Sequence, residues 1–390
     1  MNKGEGKVRI GVVGLGRGFV LPLPALARHP RTMLVAAADP RVEALERFAH
    51  EFHGRTYSDA AGLCADSNVD VVYIASPHEF HASQAILAAQ SGKHVLVEKP
   101  MAANVGDCEA MAEAARLSGT KMIIGPSHSF DAPVTLAADL IAKGSYGQPR
   151  MITAFNFTDY LYRPRRVEEF DSDLGGGVVF AQAVHQIDVV RRLAGSTVVS
   201  VRAQTGDWDP KRSTDGAYAA FLTFNNGAVA TLSYSGYGRY DSDELCEWIS
   251  ELGYRKAPES YGEARRKLAE AGGASEDILK ARRAYGATGT EPVRETPPFH
   301  EHFGFVLVSC DRADLKLKPD AVMVYSDEMR QEYKLSAPQI PRVEVMDELV
   351  DVVLGSAPGL HTAEWGTATI ACCAALRQSS EERREIFLRS

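Results

Sequence analysis

Two side chains in this sequence stand where proton chemistry could be done. Lys99 follows the apolar run HVLVE (94–98) and lies between Glu98 and Pro100. A strand leaving a hydrophobic core would deliver that ammonium group at its tip. There it can donate a hydrogen bond to a hydroxyl or carbonyl oxygen, and a nearby positive charge would draw its pKa towards the working range. Pro100 would fix the backbone, with a cis bond open to it as to any X–Pro. A lysine after a strand is equally a plain surface residue. The second side chain is His185, in GGGVVFAQAVHQID (175–188). Three glycines enter a helical pattern that puts Ala181, His185 and Asp188 on one face. Of the three, His185 alone titrates near neutrality. Asp188 could hold its ring or cap another element, and a lone histidine on an apolar helix is commonly a satisfied core residue.

GVVGLGRGF (11–19) offers a place for a reactant. Gly14-x-Gly16 at a strand-to-helix turn lets backbone approach a pyrophosphate, which the helix N-terminus attracts. Phe19 occupies the third glycine position of the GxGxxG pattern. Asp39, at the end of the second strand, can accept hydrogen bonds from both adenosine ribose hydroxyls and would repel a 2′-phosphate, which favours NAD. Arg41 could bind that phosphate and keeps NADP open. Glycines that only make a tight turn are the plain alternative; the order strand, turn, helix, strand, acid argues for a dinucleotide. Ligands of open parallel sheets sit beyond the carboxyl ends of the strands, so Lys99 and SPHEFH (76–81) would face the nicotinamide half.

A third group lies in DYLYRPRRVEEF (159–170). Arg163, Arg165 and Arg166 cluster in a Pro-broken loop; guanidinium forks suit carboxylates, and two or three would suit a dicarboxylate. Tyr160, Tyr162 and Phe157 could stack on a flat ring. Pairing with Glu168, Glu169 and Asp171 on a solvated loop would explain the same charges. His300 and His302, at i and i+2, would share one side of a strand and could be joined by Glu301 or His185 as ligand, but no further ligand pattern accompanies them and no metal is expected.

These residues need elements to carry them. Short β-branched runs at 7–14, 33–39, 70–76, 94–98 and 121–125 alternate with helical patterns at 19–29, 81–92 and 104–118. That rhythm implies a doubly wound parallel sheet of Rossmann type over residues 1–125, covered on both faces. After Gly125 a helix over 132–143 leads to strand candidates at 148–159, 200–207, 218–226 and 228–236, with NNG (225–227) as a hairpin turn. Residues 126–390 therefore read as an α/β domain with an open-faced, largely antiparallel sheet, interrupted by a polar helix-favouring segment over 255–285. Helices over 343–354 and 362–388 close the chain and could fold back on the first domain.

Composition narrows the class. The 390 residues are 45% hydrophobic and 24% charged, with a net charge of −8. That argues against a nucleic-acid or acidic-membrane binder. No apolar run approaches the ~18 residues of a membrane span, and the N-terminal residues lack the pattern of a signal peptide. None of the six cysteines lies in a CxxC pair, as expected for reduced thiols in a cytoplasmic protein.

Together GVVGLGR (11–17), AD (38–39), IASPHEFHA (74–82), HVLVEKPMA (94–102), GGGVVFAQAVHQIDVVRRLAG (175–195) and GSAPGLHTAEWGTATIACCAALRQS (355–379) resemble the glucose–fructose oxidoreductase, inositol dehydrogenase and rhizopine-catabolism family, Gfo/Idh/MocA. The resemblance implies an NAD(P)-dependent dehydrogenase, often a homodimer or homotetramer joined through the open sheet. It implies Lys99 as catalytic lysine and His185 as the histidine facing it. Arg17, Glu98, Pro100, Ser76, Pro77 and His81 would join Gly14, Gly16, Asp39 and Arg41 around the cofactor. Sugar-oxidising members carry Asp four residues before the histidine, where this chain has Ala181. GLGRGF, FTDYLYRPRR, YSGYGRYDSDE and HFGFVLVSCDRADL look most like the phthalate-degradation branch, which implies an anionic cyclic dihydrodiol as substrate, for which Tyr160 and the three arginines would be the binding residues. A sugar, polyol or glycoside dehydrogenase and a non-catalytic cofactor-sensing regulator are the alternatives.

Overall fold

Six short strands make the first sheet. The structure is a computed structural model and describes residues 6–172, 175–260, 262–271, 275–287 and 295–388. In chain order the first stretch runs β1 (Val8–Val13), α1 (Arg17–Val20), α2 (Leu23–Arg28), β2 (Thr32–Ala38), α3 (Val42–Phe52), β3 (Arg55–Tyr57), α4 (Ala60–Cys64), β4 (Val71–Ile74), α5 (His81–Gln90), β5 (His94–Val97), α6 (Val105–Ser118) and β6 (Met122–Ile124). The order across the sheet is β3-β2-β1-β4-β5-β6, and every pairing is parallel. β4 is buried along its whole length and β1 at all but one position, which is why these strands read as continuous apolar runs. The order reverses between β1 and β4, which opens a crevice at their carboxyl ends. The helix expected over 19–29 is instead two short helices. Pro22, which has no N–H to continue a ladder, becomes the N-cap of the second.

The second stretch holds α7 (Ala132–Ala142), β7 (Pro149–Phe157), α8 (Val184–Ala194), β8 (Val198–Gly206), β9 (Ala217–Phe224), β10 (Val229–Ser235), α9 (Glu263–Glu270), α10 (Glu276–Ala281), β11 (Phe305–Cys310), β12 (Ala313–Lys318), β13 (Ala321–Ser326), β14 (Arg330–Lys334), α11 (Val343–Leu354), α12 (Ala363–Glu382) and β15 (Ile386–Phe387). Its sheet is ordered β14-β13-β12-β11-β7-β10-β9-β8-β15. The β7–β10 pair is parallel and the others are antiparallel. α8 lies on β7, and α7 on β12 and β13. The alternate positions turn the other way: Phe221, Thr231, Thr153 and Leu307 form one row across four strands, with Met151 and Phe221 exposed. The closing helix expected to reach residue 388 stops at Glu382, and Ile386 and Phe387 pair with β8 instead.

The chain divides into two compact units, one of residues 1–126, 277–294 and 340–370, the other of residues 127–276, 295–339 and 371–390. In the first, late chain is tied to early chain by Arg31–Asp351 (2.6 Å) and His29–Asp347 (3.1 Å). The Ile124 N–H donates to the His361 carbonyl (2.8 Å), which caps the outer edge of β6. No helix among the described residues is long and apolar enough to cross a membrane. All six cysteines are free thiols.

Candidate active site

The turn after β1 is built for close approach. Gly14 has φ +91°, and a Cβ there would lie 2.7 Å from the backbone of Ser76, so only glycine fits. Gly16 caps α1 with no side chain of its own. A Cβ on Gly16 would meet nothing within 4 Å, so the space over the turn is open, as a bound pyrophosphate requires. Arg17 opens α1 and is exposed, while Phe19 is fully buried. Phe19 meets Tyr285 edge-on at 5.2 Å, so the third glycine position serves packing.

Asp39 is 5% exposed and already engaged. Its carboxylate accepts from the Leu15 N–H (2.7 Å), the Arg41 N–H (2.9 Å) and two guanidinium nitrogens of Arg41 (2.9 and 3.0 Å). The same guanidinium donates to the carbonyls of Leu15 (2.8 Å) and Tyr285 (3.2 Å). The Tyr285 N–H returns a bond to the Leu15 carbonyl (3.1 Å), and its hydroxyl donates to Glu51 (2.6 Å). The far end of the 255–285 segment is therefore part of the nucleotide turn's surroundings.

The tips of β4 and β5 are stitched together beside this turn. His81 faces the Ser76 carbonyl (3.0 Å) and the Pro100 carbonyl (2.9 Å). Burial pushes its pKa down to about 4, outweighing both carbonyls, so a neutral ring donates to one of them. Ser76 donates to Gln84 (2.7 Å), and Pro77 leads into a short 3-10 turn. The Lys99–Pro100 bond is cis, Pro100 is buried and Lys99 is half-buried. Glu98 accepts from the Lys99 N–H (3.0 Å), and its other oxygen lies 3.0 Å from the Tyr73 hydroxyl, which also contacts the Gly18 carbonyl (3.1 Å). Tyr73 donates to Glu98, while burial pushes the Glu98 carboxyl above its ordinary value, against Lys99, Arg342 and Tyr73. Glu98 thereby links the lysine's backbone to the nucleotide turn.

In the second unit, Gly177 (φ +70°) leads the chain past Ser172 and Thr214, where a Cβ would lie 2.9 Å from each hydroxyl. A wide π turn, Val179–Ala183, then runs into α8, a feature frequent at functional sites. His185 is 6% exposed, with Nδ1 3.5 Å from Ser127 Oγ. Asp188 accepts from Ser129 Oγ. Beside His185 stands a residue that sequence reasoning missed. The His128 ring meets the His185 ring edge-on at 4.8 Å, Phe303 lies about equally close to both, and His128 Nδ1 is 2.7 Å from Asp131 Oδ2. The His–x–x–Asp spacing in HSFD was the available signal.

The arginine cluster separates. Arg163 lies 3.4 Å from Asp159 and 3.6 Å from Glu251, with its side chain 37% exposed. Burial would push Glu251 up, but Arg163, His128 and Asn156 hold it below the usual carboxylate range. Arg165 stacks at 3.5 Å on the Tyr160 ring and donates to the Tyr160 carbonyl and Glu169. Arg166 forms a capping box with Glu169. Tyr234, buried next to this surface, bonds Gln182 (3.2 Å) and Thr158 (3.1 Å).

His300 and His302 precede β11 and are not brought together as a metal set. His300 faces the Ser336 carbonyl, and His302 faces the Ile249 carbonyl while accepting from the Gly304 N–H. Among the described residues, His128, Asp131 and Glu301 do bring donor atoms within 4.8 Å of one another.

Residues 8–125 match the family model described as the oxidoreductase family with an NAD-binding Rossmann fold, and residues 134–253 match the GFO/IDH/MocA C-terminal domain. The chain is 43% identical, over 96% of its length and 95% of the relative's, to 1-carboxy-3-chloro-3,4-dihydroxycyclohexa-1,5-diene dehydrogenase of Comamonas testosteroni. It is 26% identical to myo-inositol 2-dehydrogenase of Thermotoga maritima over 63% of its length and 74% of that protein's. A crystal structure of a protein from Bordetella bronchiseptica RB50, provisionally assigned as a dehydrogenase, superposes with a TM-score of 0.92 at 38% identity, covering 98% of this chain and all of that one. The chain belongs to the Gfo/Idh/MocA family and is an NAD(P)-dependent oxidoreductase.

Proposed function

We propose that the enzyme oxidises a carboxylated cyclic dihydrodiol to the corresponding aromatic diol, with NAD preferred over NADP. The observation that carries this reading is Arg163. Its guanidinium sits beside two carboxylates at 3.4 and 3.6 Å, too long for tight pairing, and stays partly open. A substrate carboxylate can complete its fork. Arg165 and Arg166 both pair with Glu169, yet each keeps a buried Nε with no hydrogen-bond partner among the described residues, so both remain candidates for a second anion contact beside Arg163. The activity named for the Comamonas relative, on a ring bearing one carboxylate and two hydroxyls, supports the same class.

The chemistry is coherent with these residues. NAD, held by the nucleotide turn, would supply the acceptor for a hydride from the ring carbon that carries a hydroxyl. The hydroxyl loses its proton, and the resulting ketone enolises to an aromatic diol, so aromatisation drives the step and the protein has mainly to orient reactants and move one proton. In this reading Lys99 polarises the reacting oxygen, His185 orients it, and Tyr160 borders the ring. Gly14, Gly16, Arg17, Asp39, Arg41, Ser76, Pro77, His81, Glu98 and Pro100 surround the cofactor in a nucleotide domain over 1–125. The Met151–Phe221 side of the large sheet joins copies of the chain, and the enzyme works in the cytoplasm.

NADH formation at 340 nm tests this with a carboxylated cyclohexadiene diol, the same diol without its carboxylate, and inositol. The carboxylated diol should be preferred by at least ~10-fold in kcat/KM, one charge-assisted contact, and Arg163→Gln should erase that preference. Equal turnover of both diols by the native enzyme would remove the carboxylate anchor from the reading.

A further inference from the structure

We propose that His128, oriented by Asp131, is the proton acceptor of the oxidation and supplies the carboxylate-backed base that Ala181 does not. The inference rests on the reading that a ring hydroxyl is oxidised in the second unit.

His128 Nδ1 is 2.7 Å from Asp131 Oδ2, and the two side chains are only 11% and 10% exposed. An ionised Asp131 accepts there, so Nδ1 carries the proton and Nε2 keeps its lone pair. Nε2 has no hydrogen-bond partner among the described residues, and it is not sealed from the surface. The ring lies edge-on to His185 at 4.8 Å. Its turn is held to α8 by Ser129 Oγ donating to Asp188 and by Arg192 donating to the Ser129 carbonyl. The charged and titratable groups around it are Asp131 on its own turn, His185 from α8, Glu301 from the segment before β11, and Glu251, which is paired with Arg163.

The step balances. The C–H electron pair leaves as hydride to the oxidised cofactor, the O–H electron pair forms the carbonyl, and the proton goes to His128 Nε2. Asp131 then faces a charged ring. His185 orients the hydroxyl.

The test compares native enzyme with His128→Asn, which keeps a group facing Asp131 but has nothing at Nε2, and with His128→Gln and Asp131→Asn. Circular dichroism and NADH binding select the variants that fold. His128→Asn is expected to lower kcat by ~10²–10³-fold, with KM within about threefold of native. It should also abolish the acid limb of the kcat–pH profile. Asp131→Asn should lower kcat less and shift that limb. A His128 variant that keeps kcat within about threefold, keeps the acid limb, or changes KM alone overturns the assignment. So does native turnover that EDTA abolishes and a divalent cation restores, because His128, Asp131 and Glu301 would then be ligands. Absence of native turnover on every carboxylated diol refutes the substrate reading instead. Native turnover with an undiminished His128 variant refutes this inference alone.

Discussion

Asp39→Ala should change which dinucleotide this enzyme prefers, and the structure sets the scale. The carboxylate accepts four hydrogen bonds, one from the Leu15 N–H and three from Arg41. Removing it strands the Leu15 N–H, worth roughly 1–3 kcal/mol if it stays buried. Arg41 has 38% of its side chain exposed and keeps the Leu15 and Tyr285 carbonyls, so it can turn to water. The total loss of stability should then fall short of the ~3–5 kcal/mol of a fully buried pair broken in half. NADH loses a charge-assisted contact to its ribose, about 1.5–3 kcal/mol, or roughly 10–150-fold in Kd. NADPH loses nothing comparable and gains a guanidinium released towards its 2′-phosphate. The ratio of the two dissociation constants should therefore move towards NADPH by roughly 10²-fold or more. Fluorescence titration of both reduced cofactors against Asp39→Ala, Arg41→Ala and the double variant measures it, and the double variant should lose the NADPH gain. A ratio in Asp39→Ala within about threefold of native would refute the reasoning.

Three other outcomes are expected. Gly14→Ala should destabilise by ~1–3 kcal/mol from positive φ alone, with more from the 2.7 Å approach to Ser76, read as a lower urea midpoint and weaker NADH binding. Lys99→Ala should cut kcat by at least ~10² while NADH binding, measured by fluorescence, stays near native; native kcat would remove Lys99 from the chemistry. Glu98 has a raised pKa in the fold, so its contribution to stability is complete below its unfolded value near 4.5 and fades as pH rises through the folded value. Glu98→Gln, which mimics the protonated group, should gain stability relative to native as pH rises from the ordinary carboxyl value through the raised folded one, and urea unfolding that shows a pH-independent difference would contradict a raised Glu98.

The legible parts of the fold were those with a strong local signal. β1, β4 and β5 are buried on both faces and read as unbroken apolar runs, and Gly14 with Asp39 marks the first turn. β3 was missed because Arg55–Tyr57 is a short, exposed edge. β14 was missed for the same reason, since RQEYK buries nothing. β12 alternates as a half-buried strand should and could have been read. Of the candidate site, the parts that stand out in sequence are those where spacing carries information, at EKP and at GGG…HxxD. His128 sits in a 3-10 turn between a strand and a helix, and only folding brings it against His185. The three arginines looked alike in sequence. Contacts with Glu169 and Tyr160, set by how the loop folds, divide them.

The nucleotide unit is threaded from three separated stretches of chain. The guanidinium beside Asp39 leans on a carbonyl at position 285, and the unit's outermost parallel strand is closed by one at position 361. A ribosome that has released only the first 125 residues has therefore released a sheet with an uncovered border and an arginine short of a partner. This half of the enzyme cannot reach its finished form during synthesis until the chain as far as residue 370 has emerged.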